Sequence, residues 1–351
     1  MQEIKVRISK IVDETPDTRS FYLEQLDGKS LDYVAGQFLT FIFSVNGREV
    51  RRSYSIGSTP GYENELFITV KRKENGEISR KMLDHFKEGD ILTCLLPSGK
   101  FINESDWGNN LQYFFFAAGS GIVPVYGIIK SILHKNPNAP IFLLNQTTSE
   151  QDIIYKDGLS RLQNKYVNFE YQLFLSRPST KSISVQRLNN LQVEKLVNDR
   201  VHNKEERENA RFYVCGPTTF MRMVRFTLRL DGFREEQIKQ EQFVIQENNY
   251  SAPLIVDKNN KHVKILAKEG IFEFEVQYPE TILHAGKIAK VSLPFSCSAG
   301  QCSTCAVVCT SGEVVMTKND ILTDKDLTNG LVLTCTGHPA TDIVLDYTLK
   351  N

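Results

Sequence analysis

The sequence has no net charge: 42 Lys plus Arg offset 42 Asp plus Glu over 351 residues. Without a net field the chain has no general grip on nucleic acid or on an anionic membrane, and neither is expected as a partner. It also lacks a long uninterrupted apolar run. The most apolar stretch, Tyr113 to Ile129, is short for a bilayer span and is broken by Gly119, Ser120, Gly121 and Pro124. The first ten residues contain no apolar stretch of the kind that opens a signal peptide, so a cytoplasmic protein without stable membrane insertion is expected. Internal repeats and low-complexity tracts are absent. The six His are scattered, none at a metal-ligand spacing, and no motif marks a pocket for an organic substrate. The run from Asn198 to Arg211 is read as a solvated face or loop.

The chain does have the mass and composition of a multidomain globular protein. Hydrophobic residues are 41% and charged residues 24%, and at roughly 100–200 residues per domain the length gives two or three domains. Residues 1–106 alternate short apolar runs with turn signals, including Asn46-Gly47 between two such runs. This pattern predicts a small antiparallel β-barrel, with one helix from about Ser79 to Phe86, Ser79 as its N-cap and Gly89 near its end. Residues 107–246 alternate buried strands with helices, which predicts a doubly wound parallel α/β sheet. The polar stretch up to Pro253 reads as a linker. Residues 253–351 predict a hairpin turning at Glu269-Gly270, then a helix, then a cysteine loop.

Seven cysteines are unevenly spread, and five of them lie in that last unit: Cys297, Cys302, Cys305, Cys309 and Cys335. In a reducing compartment such a cluster points to a metal site rather than a disulfide framework. The order Cys297-x4-Cys302-x2-Cys305, with Cys335 distant, is the spacing of a plant-type 2Fe-2S centre. The small residues Ser298, Ala299, Gly300, Ser303 and Thr304 let backbone N–H groups approach the sulfurs. The alternative is a four-cysteine zinc site, which more often carries two short knuckles. Cys309 is read as a packed residue. This unit resembles a plant-type ferredoxin, and the resemblance implies an α+β β-grasp fold.

Three further motifs carry chemistry. Arg52-Ser53-Tyr54-Ser55 combines a donor fork suited to phosphate, a ring that can lie on an isoalloxazine and a hydroxyl. About twenty residues on, Gly76 and Ser79 frame a helix N-terminus, which suits an anion. The pair resembles the flavin signatures of the ferredoxin–NADP reductase superfamily, with Gly36-Gln37-Phe38 as a further match, and implies FAD. Gly119-Ser120-Gly121-Ile122-Val123-Pro124 follows a buried strand and opens a helix, as a phosphate-cradling turn must. Cys215-Gly216-Pro217 repeats that context.

Both turns resemble the nucleotide domain of the same superfamily. Gly119, Gly121 and Pro124 would then hold the pyridine nucleotide, beside Cys215, Gly216 and Pro217, and Glu241-Gln242-Phe243 matches the family element after the last helix. Val123 replaces a polar residue usual in the family. Ser176-Arg177 resembles the pair that grips the 2′-phosphate, which favours NADPH, with NADH as the alternative. Ser55 and Cys215 are the expected catalytic neighbours of the transferred hydride.

The resemblance runs through the whole chain in the order flavin, nicotinamide, ferredoxin. It is nearest to the reductase subunit of the phenylacetyl-CoA epoxidase type, and phthalate dioxygenase reductase shares the domain order. It implies a monomeric electron-transfer reductase that serves an oxygenase, hydroxylase or desaturase. The competing expectations are a reductase with a small-molecule acceptor and a redox-sensing flavo-iron-sulfur protein. The neutral total also divides. From residue 253 onward 9 Lys face 11 acidic residues, a net −2, and the preceding 252 residues carry +2. Tethered domains need no strong electrostatic steering toward each other.

Overall fold

A computed structural model describes residues 3–45, 47–101, 110–179, 187–243, 258–295, 298–300, 303–319, 321–322 and 324–349. The chain divides into two compact units: Glu3–Val244, and Ile245–Asn351 with Met1–Gln2. The two expected N-terminal domains therefore form one unit, and the ferredoxin-like part forms the other.

The first sheet contains β1 (Glu3–Thr15), β2 (Thr18–Gln25), β3 (Phe38–Val45), β4 (Arg48–Ser55), β5 (Leu66–Lys71) and β6 (Ile91–Leu95). Its order is β4-β3-β6-β1-β2-β5, with every pairing antiparallel. Early in β1 the side chains alternate: Ile4, Val6 and Ile8 are buried, while Glu3, Lys5 and Arg7 face out. The sheet closes into a barrel where Ile56 bridges Ile68 and the Gly57 N–H donates to the Phe67 carbonyl at 2.9 Å. The expected hairpin is present. Val45 pairs with Arg48 and Gly47 has φ +75°, while Asn46 lies outside the described residues.

The barrel helix differs from its prediction. Helix α1 spans Glu77–His85 with Gly76 as N-cap, which puts Ser79 inside the first turn. The Ser79 hydroxyl bonds locally instead, accepting from the Lys73 N–H at 3.2 Å and donating to the Gly76 carbonyl at 3.3 Å. Gly89 lies beyond the helix end, in the turn to β6, where its N–H reaches the Ile8 carbonyl.

The second sheet is parallel and ordered β11-β10-β7-β8-β9. Its strands are β7 (Gln112–Ala118), β8 (Ile141–Thr147), β9 (Phe169–Leu175), β10 (Ala210–Cys215) and β11 (Ile238–Glu241). The helices are α2 (Ile122–Lys135), α3 (Lys156–Lys165), α4 (Asn190–Asn198), α5 (Lys204–Asn209) and α6 (Thr218–Leu230). Strand β7 is apolar and buried from Tyr113 to Ala118 because both of its faces are covered. Tyr113, Phe115 and Ala117 pack in one core with α2 and α3, and Phe114, Phe116 and Ala118 in another with α4 and α6. The segment expected to be a solvated face or loop contains the short helix α5, which buries none of its residues and is capped by the Asn203 side chain on the Glu206 N–H at 2.9 Å.

In the C-terminal unit the order is β13-β12-β18-β14-β16, plus a small β15-β17 pair. The strands are β12 (Lys261–Ala267), β13 (Gly270–Val276), β14 (Ala306–Ser311), β15 (Val314–Met316), β16 (Leu331–Leu333), β17 (Gly337–Pro339) and β18 (Ile343–Asp346). The helices are α7 (Ile282–Ile288) and α8 (Asp324–Thr328). Only β12 with β18 is parallel in this five-stranded sheet, which gives the mixed sheet and packed helix of a β-grasp. Gly270 pairs with Ala267, so the hairpin turns one residue earlier than predicted, at Lys268-Glu269.

Candidate functional site

Sheet order places the site in the first unit. Strand β7 is first in the chain, and successive strands leave it on one side (β8, β9) and then on the other (β10, β11). Open α/β sheets bind ligands at the carboxyl ends of such a switch point. The two turns found in the sequence meet there. Gly119–Gly121 leaves β7, and Cys215-Gly216 leaves β10 as its neighbour. A Cβ on Gly121 would lie 2.1 Å from the Cys215 carbonyl oxygen and 2.8 Å from the Gly216 nitrogen, so only glycine permits this contact. Gly119 has φ +57° with open space where a Cβ would be. Val123 and Pro124 are buried in the first turn of α2, and Pro217 is the N-cap residue before α6.

The barrel contributes a side chain to the same point. The Ser55 hydroxyl, at the end of β4, donates to Glu241 Oε2 at 3.3 Å. Glu241 ends β11 directly beside Cys215 in the parallel register. Ser55, Cys215 and Glu241 therefore converge, although they are far apart in sequence. Burial pushes the Glu241 carboxyl up to about 8. Burial, and then the Glu241 charge, holds the Cys215 thiol well above its ordinary range. Cys215 is thus a neutral, compact neighbour and not an activated nucleophile. Phe243 follows and is exposed, while Gln242 Nε2 donates to Thr218 Oγ1 at 3.2 Å.

The flavin motif lies along β4. Arg52 and Tyr54 alternate with Ser53 and Ser55, so they share a face. The Arg52 guanidinium is exposed, with Nη1 donating to the Arg51 carbonyl at 2.7 Å. The Ser53 hydroxyl pairs with Thr40 at 2.9 Å. Tyr54 is half-buried beside Phe41, and burial raises its phenol pKa. An exposed donor fork, a ring and a hydroxyl on one strand fit a flavin nucleotide. At the far edge of the nucleotide sheet, the N–H groups of Ser176 and Arg177 donate to the carbonyls of Thr147 and Thr148 at 3.0 and 2.7 Å. This leaves the Arg177 side chain exposed.

Two expected cluster ligands, Cys297 and Cys302, lie outside the described residues. The other two are buried together, with Cys305 and Cys335 sulfurs 3.2 Å apart. That is too long for a disulfide and near the roughly 3.8 Å edge of a tetrahedron with 2.3 Å metal–sulfur bonds. The Gly300 N–H points at Cys335 Sγ at 3.3 Å, as a tuned thiolate requires. Gly300 has φ +71°, and a Cβ there would lie 2.8 Å from the Lys318 carbonyl. This donor set fits an iron–sulfur cluster. Cys309 is partly buried, its sulfur 3.3 Å from the Ser311 carbonyl, consistent with packing.

Comparisons with known proteins agree with this architecture. Family models match as an oxidoreductase FAD-binding domain over residues 5–102, an oxidoreductase NAD-binding domain over 115–225 and a 2Fe-2S iron-sulfur cluster binding domain over 267–340. The ferredoxin reductase component of 3-ketosteroid-9-alpha-monooxygenase from Mycobacterium tuberculosis is 30% identical, with 97% of this chain and 94% of that protein covered. The chain belongs to the ferredoxin–NADP reductase superfamily, in the branch with a C-terminal 2Fe-2S ferredoxin domain. A component of the 1,2-phenylacetyl-CoA epoxidase from Escherichia coli is 28% identical over 98% of this chain and 97% of its own length. Phthalate dioxygenase reductase has the same fold, with a TM-score of 0.60 at 22% identity and 98% coverage of both chains.

The protein is an NAD(P)H-dependent oxidoreductase that carries electrons through FAD and a 2Fe-2S cluster. No helix among the described residues is long and apolar enough to cross a membrane. The sequence motifs did not single out the Glu241 carboxyl that meets Ser55 beside Cys215. Its only signal was its place in a family element.

Proposed function

We propose that this reductase supplies electrons one at a time to a partner oxygenase, hydroxylase or desaturase, drawing them as hydride from NADPH. In this reading Arg52, Ser53, Tyr54, Ser55, Gly76 and Ser79 hold FAD. Gly119, Gly121 and Pro124 hold the pyridine nucleotide beside Cys215, Gly216 and Pro217, with Cys215 near the nicotinamide. Ser176 and Arg177 receive its 2′-phosphate, and Phe243 lies beside the flavin. Cys297, Cys302, Cys305 and Cys335 ligate the cluster. The domain bounds are 1–106, 107–246 and 253–351, and the protein acts as a cytoplasmic monomer.

The meeting of Ser55 with Glu241 and Cys215 carries the reading, because it brings the end of the flavin strand to the nucleotide switch point. A bound FAD would take up the two electrons of one hydride and allow their release one at a time to the cluster. The residues do the rest. The Ser55 hydroxyl and the protonated Glu241 carboxyl present neutral hydrogen-bonding groups where the hydride passes. The Cys215 side chain fills the space behind it without adding charge. The Arg52 fork neutralises phosphate.

The oxygenase partner is supported by what the relatives are: reductase components of a ketosteroid monooxygenase and of a glycine betaine monooxygenase in Pseudomonas aeruginosa, and a component of an epoxidase. Stopped-flow spectroscopy tests the proposal. NADPH should bleach the flavin band and then the iron–sulfur absorption, and reoxidation should be slow until a partner protein is added. Fast turnover on oxygen alone would refute the protein acceptor.

A further inference from the structure

Lys130 lies in the middle of α2, where every residue from Ile122 to Leu133 is buried, and it has no exposed surface. Its ammonium leaves the nucleotide domain and enters the barrel. Nζ donates to the Gly57 carbonyl at 3.0 Å and pairs with the Glu63 carboxylate. It sits over the Tyr126 ring at 4.2 Å, with Phe67 and Tyr62 at 5.3 and 5.8 Å. The loop it grips is braced on its own side, where the Glu63 carboxylate also accepts from the Thr59 N–H at 2.8 Å, and it is tied to the helix a second time by the Thr59 hydroxyl, which donates to the Gly127 carbonyl of α2 at 2.8 Å. A Cβ on Gly127 would touch the carbonyls of Ile56, Gly57 and Ser58 at 3.4–3.5 Å, so helix and loop lie in direct contact.

We propose that Lys130 is a positioning residue for hydride transfer, fixing the register in which Ser55 of the barrel meets Glu241 and Cys215 of the nucleotide sheet. This rests on the site proposed above. One rigid helix links the points concerned. At its N-terminus Gly121 abuts Cys215 and Gly216, and nine residues on, about 13 Å along the axis, Lys130 holds the residue two beyond Ser55. An apolar residue would fill the space at a lower desolvation cost, so stability alone does not call for an ammonium here. What the ammonium adds is direction, since it can bind Gly57 and Glu63 only at one setting of helix against loop. A setting error of about 1 Å at a reacting centre can cost on the order of a hundredfold in rate.

The test compares wild type with the double variant Lys130→Met/Glu63→Leu, in protein loaded with FAD and cluster. The double variant removes both charges and keeps the seam apolar. It is expected to retain FAD, its flavin midpoint potential and its melting temperature, while the limiting rate of flavin reduction by NADPH falls at least tenfold and the NADPH dissociation constant stays within twofold. The milder Glu63→Gln variant keeps the volume and an acceptor for Thr59, and its limiting rate is expected to fall at least threefold. It decides the question if the double variant does not fold. A wild-type limiting rate in a folded variant overturns the proposal. A parallel drop in rate and flavin potential also overturns it, since that would be an effect on the flavin itself. Ser55→Ala reports separately on the site: an unchanged rate there removes Ser55 from the flavin, while the Lys130 variants still decide the fate of the lysine.

Discussion

Replacing Glu241 by Gln should change stability in one pH range only. The Glu241 carboxyl has its pKa raised from 4.5 to about 8 because burial penalises the charged form. An acid with a raised folded-state pKa costs nothing below about pH 4.5, where both states are protonated. The penalty grows between 4.5 and 8 and is complete above 8. A rise from 4.5 to about 8 corresponds to at most about 5 kcal/mol. The residue keeps part of its surface in solvent, so screening reduces this to roughly 2–3 kcal/mol. Gln keeps the size and can still accept from Ser55, but it never ionises. The assay is thermal unfolding of flavin-loaded wild type and Glu241→Gln at pH 5 and pH 9. At pH 9 the variant should melt higher by roughly 4–12 °C, taking 2–4 °C per kcal/mol for a unit of this size. At pH 5 the two should nearly coincide. A difference of the same size at both pH values would show that charge burial is not the cause. Flavin reduction should respond in parallel, with the wild-type rate falling above about pH 8 as a carboxylate forms beside Ser55, and the variant rate staying flat.

Three further outcomes are expected. Gly121→Ala drives a Cβ into the Cys215 peptide, so the backbone must move; it should cost roughly 1–3 kcal/mol and raise the NADPH KM at least tenfold, and an unchanged KM would remove this turn from the nucleotide site. Cys335→Ser should abolish the iron–sulfur absorption while flavin content and flavin reduction by NADPH persist; retention of the cluster would refute this ligand. Arg177→Gln should raise the KM for NADPH about tenfold or more, the loss of one charge-assisted bond, and leave that for NADH unchanged. Equal effects on both nucleotides would show that the side chain does not read the 2′-phosphate.

What was legible in the sequence was whatever is encoded locally. The apolar run of β7 announced a strand covered on both faces, the glycine turns announced close approach, and the cysteine spacing announced the cluster. Local patterns failed where a side chain had two competing roles. Ser79 has the chemistry of a cap, yet it lies inside the first turn because Gly76 takes the cap position and the hydroxyl bonds back to its own turn. The polar run from Asn198 to Arg211, by contrast, reads as a solvated face or loop, and the short helix that Asn203 caps within it buries none of its residues.

The seam between barrel and nucleotide sheet was not legible, and the reason is physical. Lys130 stands in a helix that is apolar on all sides, which in sequence marks a buried helix with one exposed lysine as readily as a buried lysine. Its partner Glu63 lies 67 residues away, in a loop with no motif. Only the fold brings them together, and the same contact sets where Ser55 meets Glu241. The chemistry of each domain is therefore written in its own motifs, whereas the alignment of one domain's chemistry with the other's depends on a buried charge pair that no motif contains. Substitutions along this seam should consequently alter rate without altering which cofactors are bound, and substitutions within the motifs should alter the cofactors themselves.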